Sequence, residues 1–160
     1  MRVRLLACAA LLLAMLVRPD TAFAQARTVT ITIPAGVSFS VPDVSATVTG
    51  SPGTFRIVFP NSSVRGNDKL TISVKADTAT FSGPGTTQIP ASKVSWSATA
   101  IGGGTGSPGT LSSGYSQVYQ SDANPKSGEV DLTWRLAPIA AAGLRAGAHS
   151  LTVRWRLEAF

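Results

Sequence analysis

The sequence predicts an all-β protein, an antiparallel sandwich preceded by a cleaved leader, on three observations. Apolar and polar residues alternate with period two through several short runs, as in strands that bury one face. Clusters of Gly, Pro, Ser and Asn separate those runs at regular intervals, as turns do. After the leader almost nothing repeats at the helical period.

The leader comprises residues 1–24. Arg2 and Arg4 make a basic start, and Leu5 to Val17 is an unbroken apolar run of 13 residues, short of the ~20 that span a bilayer. Small-x-small sites follow at Ala22-Phe23-Ala24 and Ala24-Gln25-Ala26. This is the layout of a secretory signal cut after Ala24, which leaves one domain over residues 25–160 and no transmembrane segment in the mature chain. Leu5-Leu6-Ala7-Cys8 also has the form of a lipoprotein acylation box. Such a cysteine should end the apolar run, however, and Cys8 nearly begins it.

In Thr28-Val29-Thr30-Ile31-Thr32-Ile33, threonine alternates with β-branched apolar residues until Pro34 closes the first strand. Extended stretches follow through Val37, Phe39 and Val41, and through Val44, Ala46 and Val48. The next strands run from Phe55 to Phe59, from Lys69 to Lys75 with Leu70, Ile72 and Val74 inward, and from Lys93 to Ala100 with Val94, Trp96 and Ala98 inward. Tyr115 to Gln120 is a further candidate, and Asn61-Ser62-Ser63, a formal glycosylation sequon, reads as a polar turn. The alanine-rich stretch Pro138 to Gly147 reads either as a helical turn or as a plain connection. Short strands spaced this regularly point to an immunoglobulin-like (Ig-like) sandwich.

The hexapeptide Thr-Gly-Ser-Pro-Gly-Thr occurs twice, at Thr49–Thr54 and Thr105–Thr110, but the residues that follow the copies do not match. Turn chemistry explains both: Pro52-Gly53 and Pro108-Gly109, like Pro84-Gly85, suit type II turns.

The last 33 residues, Gly128 to Phe160, carry the triplet Trp-Arg-Leu twice. Val130, Leu132, Trp134 and Leu136 share one face of a strand, and Leu151, Val153, Trp155 and Leu157 share one face of another. The opposite faces carry Asp131, Thr133 and Arg135, and Thr152, Arg154, Arg156 and Glu158. Should these two strands pair, Arg135, Arg154 and Arg156 would form a guanidinium stripe suited to carboxylates and phosphates. Such a row also has the plain role of keeping a sheet soluble.

Residue inventory limits the chemistry. Cleavage removes Arg2, Arg4, Arg18 and Asp20, so the mature chain keeps 11 of 14 basic and 7 of 8 acidic residues and has no cysteine. That excludes thiol chemistry and thiolate metal sites, while the mild positive charge favours anionic surfaces. The chain lacks the dense Lys/Arg clusters with interleaved aromatics of nucleic-acid binders. His149, the single histidine, makes no multi-histidine metal site and reads as a strand-edge residue. Gly104-Thr105-Gly106-Ser107-Pro108-Gly109 matches a dinucleotide-binding pattern formally, yet no helix can start at Pro108. With its acids scattered and no nucleophile elbow, the expectation is a non-enzyme without cofactor or metal.

Trp155-Arg156-Leu157, the lead-in Arg145 to Val153, and Ile89-Pro90-Ala91-Ser92-Lys93-Val94-Ser95-Trp96 together resemble the WxL-domain proteins of bacterial surfaces over about residues 67–160. The resemblance implies a non-enzymatic sandwich held non-covalently on the envelope, with Trp155 and Leu157, and by extension Trp134 and Leu136, involved in peptidoglycan association. It departs at Lys69-Leu70-Thr71-Ile72, where the family's first motif would carry tryptophan. The chain is also similar to chaperone-assembled pilins and spore-coat-U-like proteins, without their common cysteine pair. That resemblance implies self-association in which Thr28 to Ile33 completes a neighbour's sheet.

The expected function is therefore that of a secreted protein at the cell surface or in the periplasm. It would bind peptidoglycan, another anionic glycan or other surface proteins, or build an extracellular fibre or coat.

Overall fold

The computed structural model describes residues 28–64, 66–86, 88–140 and 144–160; the expected leader and Cys8 lie outside them. Among the described residues there are ten strands: β1 (Thr28–Thr32), β2 (Val48–Thr49), β3 (Phe55–Ser63), β4 (Leu70–Ala76), β5 (Val94–Ile101), β6 (Thr105–Gly106), β7 (Gly109–Thr110), β8 (Ser116–Gln120), β9 (Gly128–Leu136) and β10 (Val153–Ala159). A 3-10 turn at Ala91–Lys93 leads into β5.

The strands form two antiparallel sheets. One runs β1-β3-β9-β5-β7, with β2 paired to β9 beyond the start of β3, and the other runs β10-β4-β8-β6. Their facing sides share one core, the layering of a sandwich. Phe55, Ile57 and Phe59 of β3, Val130, Leu132 and Trp134 of β9, and Leu70, Ile72 and Val74 of β4 are all at most 5% exposed. Period-two alternation selects these residues: in β9 every second residue from Gly128 to Leu136 is buried. No helix among the described residues is long and apolar enough to cross a membrane.

Several expectations are corrected. The stretches through Val37–Val41 and Val44–Val48 form no strands beyond the bridge Ser38–Ser51 and the two residues of β2. Pro42 interrupts them, and the Asp43 carboxylate accepts hydrogen bonds from the Ser45 N–H (2.8 Å) and hydroxyl (2.7 Å), an Asx turn in place of a ladder. Asn61-Ser62-Ser63 is no turn but the end of β3, paired with β1. Of the three glycines expected in type II turns only Gly85 has positive φ, at 97°. Gly109 instead lies in β7 opposite Trp96, where a Cβ would collide with the indole ring.

The two hexapeptides also serve different ends. The first joins β2 to β3 within one sheet, whereas the second crosses between sheets, β6 in one and β7 in the other. The stretch after β9 forms no helix in its described part, and Ile139 reaches the core with its N–H bonded to the Val44 carbonyl at 2.8 Å.

The largest correction concerns the strands that carry Trp-Arg-Leu. β9 and β10 do not pair and lie in different sheets. β9 has β3 and β2 on one side and β5 along the other from Ile101 to Val94, so it offers no edge. β10 pairs with β4 instead, Val153 opposite Ala76 through Ala159 opposite Leu70.

Candidate functional site

The triplets meet through the core rather than along a sheet. Trp134 (5% exposed) and Leu136 (4%) are buried in β9, while Trp155 and Leu157 are half-buried in β10. The Trp134 ring lies 5.4 Å from that of Trp96 and 6.4 Å from that of Trp155, and Phe55 stacks on Trp155 at 6.0 Å with an 11° interplanar angle. These side chains join the two sheets, which is a packing role, and β9 leaves Trp134 and Leu136 little surface to offer a ligand.

The three arginines separate accordingly. Arg135 is exposed on the outer face of the first sheet, level with Thr49 and Ser95, and has no ionic partner among the described residues. Arg154 and Arg156 project from the outer face of the second sheet, where register sets Arg154 opposite Lys75 and Arg156 opposite Ser73. The expected single stripe therefore does not form.

The second sheet gathers a different cluster. The exposed ring of Tyr115, just before β8, has the Arg156 guanidinium 4.4 Å from its centroid and the Lys75 ammonium 5.1 Å away. Such cation–π contacts hold the ring and the cations in register. Arg154 Nε and Nη2 donate to the two carboxylate oxygens of Asp77 at 2.5 and 3.0 Å, and Arg156 Nε lies 3.1 Å from Glu158. The hydrogen bond from Arg154 holds the Asp77 carboxyl below its usual range; desolvation opposes it, and the charges of Arg154 and Lys75 add smaller lowering effects. Two cations thus lie over one exposed phenol, and the Arg154–Asp77 and Arg156–Glu158 pairs adjoin them through β10. That arrangement supplies donors for carboxylate or phosphate and a ring on which a sugar can stack.

Elsewhere on the first sheet's outer face Arg56 is paired within the sheet, donating to Asp131 at 2.6 and 2.7 Å and lying 3.1 Å from Glu129. A shallow cleft of about 170 Å³ is lined by Gly102, Gly103, Tyr119, Asp122 and Lys126 among others. Its polar groups are partly spent on each other: the Tyr119 hydroxyl donates to the Gly103 carbonyl at 3.0 Å, and the Gly104 N–H donates to Asp122 at 3.0 Å. His149 is half-buried against Gly83, its Nε2 3.1 Å from the Arg145 carbonyl.

Sequence reasoning missed Tyr115, Lys75 and Asp77. Strand parity does turn Lys75 outward, since Leu70, Ile72 and Val74 point in. What parity withholds is the β4·β10 pairing that places Lys75 beside Arg154.

Comparisons with protein-family models, with curated proteins and with solved structures find no match.

Proposed function

We propose that the mature chain is a secreted, non-catalytic, Ig-like sandwich that associates with an anionic polymer of the bacterial envelope, peptidoglycan or another anionic glycan. The supporting observation is the placement of Lys75 and Arg156 over the exposed Tyr115 ring, with Arg154 beside Lys75 on the neighbouring strand. A polymer of amino sugars and carboxylates presents the groups that such a face recognises, apolar sugar faces for the ring and anions for the guanidinium. The inward direction of Trp134, Leu136 and Trp155 favours this outer face over the Trp-x-Leu motifs as the contact surface.

Co-sedimentation of the chain from Gln25 with isolated peptidoglycan tests the proposal. Wild type is expected in the pellet, with retention falling as salt rises and lost in the double variant Tyr115→Ala/Arg156→Ala. No retention of wild type at low salt would sink it. Retention lost in Trp155→Ala but intact in the double variant would return the contact to the WxL-like motifs.

A second reading, a subunit of an extracellular fibre or coat assembled by strand addition, is favoured by the placement of β1. Among the described residues this strand is held by β3 alone, with a register break between Thr30 and Thr32. It is thus the element most easily exchanged with a neighbour. That reading expects polymers that vanish when residues through Ile33 are deleted.

A further inference from the structure

On the outer face of the second sheet, short side chains of β4 lie between longer ones of β10 and β8. Leu70, Ile72 and Val74 point into the core, so alternation turns Thr71, Ser73 and Lys75 outward. Register sets Glu158 and Gln120 on either side of Thr71, and Arg156 and Gln117 on either side of Ser73. Long cross-strand neighbours overhang a short side chain between them. Accordingly Thr71 and Ser73 are only 5% and 4% exposed, although both face away from the core. The result is a trough along β4 with hydroxyls on its floor. Amides line one wall, where Gln117 Nε2 is held by Ser107 Oγ at 3.3 Å, and the Arg156–Glu158 ion pair, at 3.1 Å, lines the other.

The floor carries an unmet hydrogen bond. Thr71 Oγ1 is buried with no hydrogen-bond partner among the described residues, a state that native structures disfavour. The half-buried Gln120 and Glu158 beside it turn aside by rotation about single bonds. A hydroxyl or acetamido group laid in the trough then supplies the partner.

Charge along the trough decides which polymer fits. At one end Lys75, Arg154 and Arg156 stand against Asp77, next to the Tyr115 ring. Glu158 follows, level with Thr71. One row further is Lys69, exposed, its backbone exchanging hydrogen bonds with Phe160 at 2.8 and 3.1 Å. Positive charge therefore recurs from Lys75 to Lys69, about 20 Å at the rise of a strand, with a carboxylate between. A chain with an anion on every unit sets one of them against Glu158. A chain with uncharged sugars between its anions sets a hydroxyl or acetamido group there instead, over Thr71.

We propose, on the reading that this face meets an envelope polymer, that the trough along β4 holds a glycan lengthwise and selects one whose carboxylates are separated by uncharged acetamido sugars. Lys75 and Arg156 take the carboxylate, Tyr115 the apolar face of a sugar ring, and Ser73 and Thr71 the uncharged substituents that follow. Glu158 rejects a chain that is charged on every sugar.

Calorimetric titration of the chain from Gln25 with length-matched fragments of three soluble glycans tests this. Hyaluronan carries a carboxylate on alternate sugars with acetamido sugars between, polygalacturonate a carboxylate on every sugar, and chitin oligosaccharide none. Hyaluronan is expected to bind about tenfold more tightly than either of the others at low salt. Glu158→Gln is expected to narrow that gap by tightening the binding of polygalacturonate. Thr71→Val is expected to weaken hyaluronan binding about fivefold while leaving the urea midpoint unchanged or raised, because its hydroxyl has no partner to lose. Ser73→Gln, which fills the floor, should abolish binding in a chain whose circular dichroism is that of wild type. Polygalacturonate bound as tightly as hyaluronan overturns the proposal, as does a Thr71→Val chain that binds hyaluronan like wild type. Retention on peptidoglycan without binding of any fragment overturns it too and leaves the envelope reading standing, whereas loss of peptidoglycan retention removes both.

Discussion

Trp134 and Trp155 meet edge to face across the two sheets, their ring centroids 6.4 Å apart at 84°. Phe55 completes the cluster, edge-on to Trp134 at 6.2 Å and stacked on Trp155. Each such pair contributes ~0.5–1.5 kcal/mol beyond its buried area. Because β9 is interior to its sheet and β10 comes last in its own among the described residues, with Trp155 half-buried where Trp134 is buried, the two residues should not be equivalent. Trp134→Ala is expected to cost about 3–5 kcal/mol in urea unfolding, the range for a core tryptophan, and Trp155→Ala about 2 kcal/mol. Equal costs would mean that the flank of Trp155 is as well covered as the interior of β9.

The buried indoles differ in their polar ends. Trp96 Nε1 donates to the Ser107 carbonyl at 2.9 Å, at the point where the chain crosses between sheets, whereas Trp134 Nε1 is buried without a hydrogen-bond partner among the described residues. Replacing both by phenylalanine removes similar apolar area, but only Trp96→Phe strands a carbonyl. Trp96→Phe is therefore expected to be the more destabilising by about 1–2 kcal/mol in denaturant midpoints at constant slope. A larger loss for Trp134→Phe would mean that its N–H has a partner, such as a buried water.

Two cross-strand pairs set an aromatic ring over a glycine, Phe59 opposite Gly128 and Trp96 opposite Gly109. A Cβ on either glycine would run into the facing ring. Gly128→Ala and Gly109→Ala are expected to destabilise by about 1–3 kcal/mol despite alanine's lower conformational entropy. Gly36→Ala is the control, since its Cβ meets nothing within 4 Å and its φ is not positive. That change should leave the melting temperature unchanged or slightly raised. Phe59→Leu should partly rescue Gly128→Ala if ring contact is the cause.

Period two made the long strands legible. Leu70, Ile72 and Val74, or Val130, Leu132 and Trp134, point inward as the alternation requires, because each strand has one core face. β8 is harder to see because both Val118 (0% exposed) and Tyr119 (1%) are buried, where the ladder with β4 shifts register between Ile72 and Ser73. A bulge puts consecutive residues on the core side and erases the alternation. Pairing is not encoded in any single strand. The adjacency of the two Trp-Arg-Leu runs in sequence suggested a hairpin, but the 16-residue connection 137–152 is long enough to pass from one sheet to the other. The candidate site fails at the same step: Arg154 and Arg156 are legible as outward cations, yet their grouping with Lys75 and Tyr115 follows from the β10·β4·β8 order.

Acid should weaken the fold through two carboxylates in particular. Asp131 and Asp77 both lie below their usual pKa, chiefly through the hydrogen bonds from Arg56 and Arg154. A carboxyl depressed in the folded state stabilises it at pH values above the unfolded pKa, and that contribution is lost as pH falls through the folded value. Unfolded aspartate titrates near ~3.9, so the loss is expected below about pH 4, with full effect above about pH 5. All four partners face solvent, which keeps each pair's share small and makes it shrink with salt. Urea midpoints measured between about pH 3 and pH 6 should therefore fall less steeply for Asp77→Asn/Asp131→Asn than for wild type at low ionic strength, and the two curves should converge in about 0.5 M salt. An acid limb as steep in the double variant as in wild type would assign the lost stability to other carboxylates.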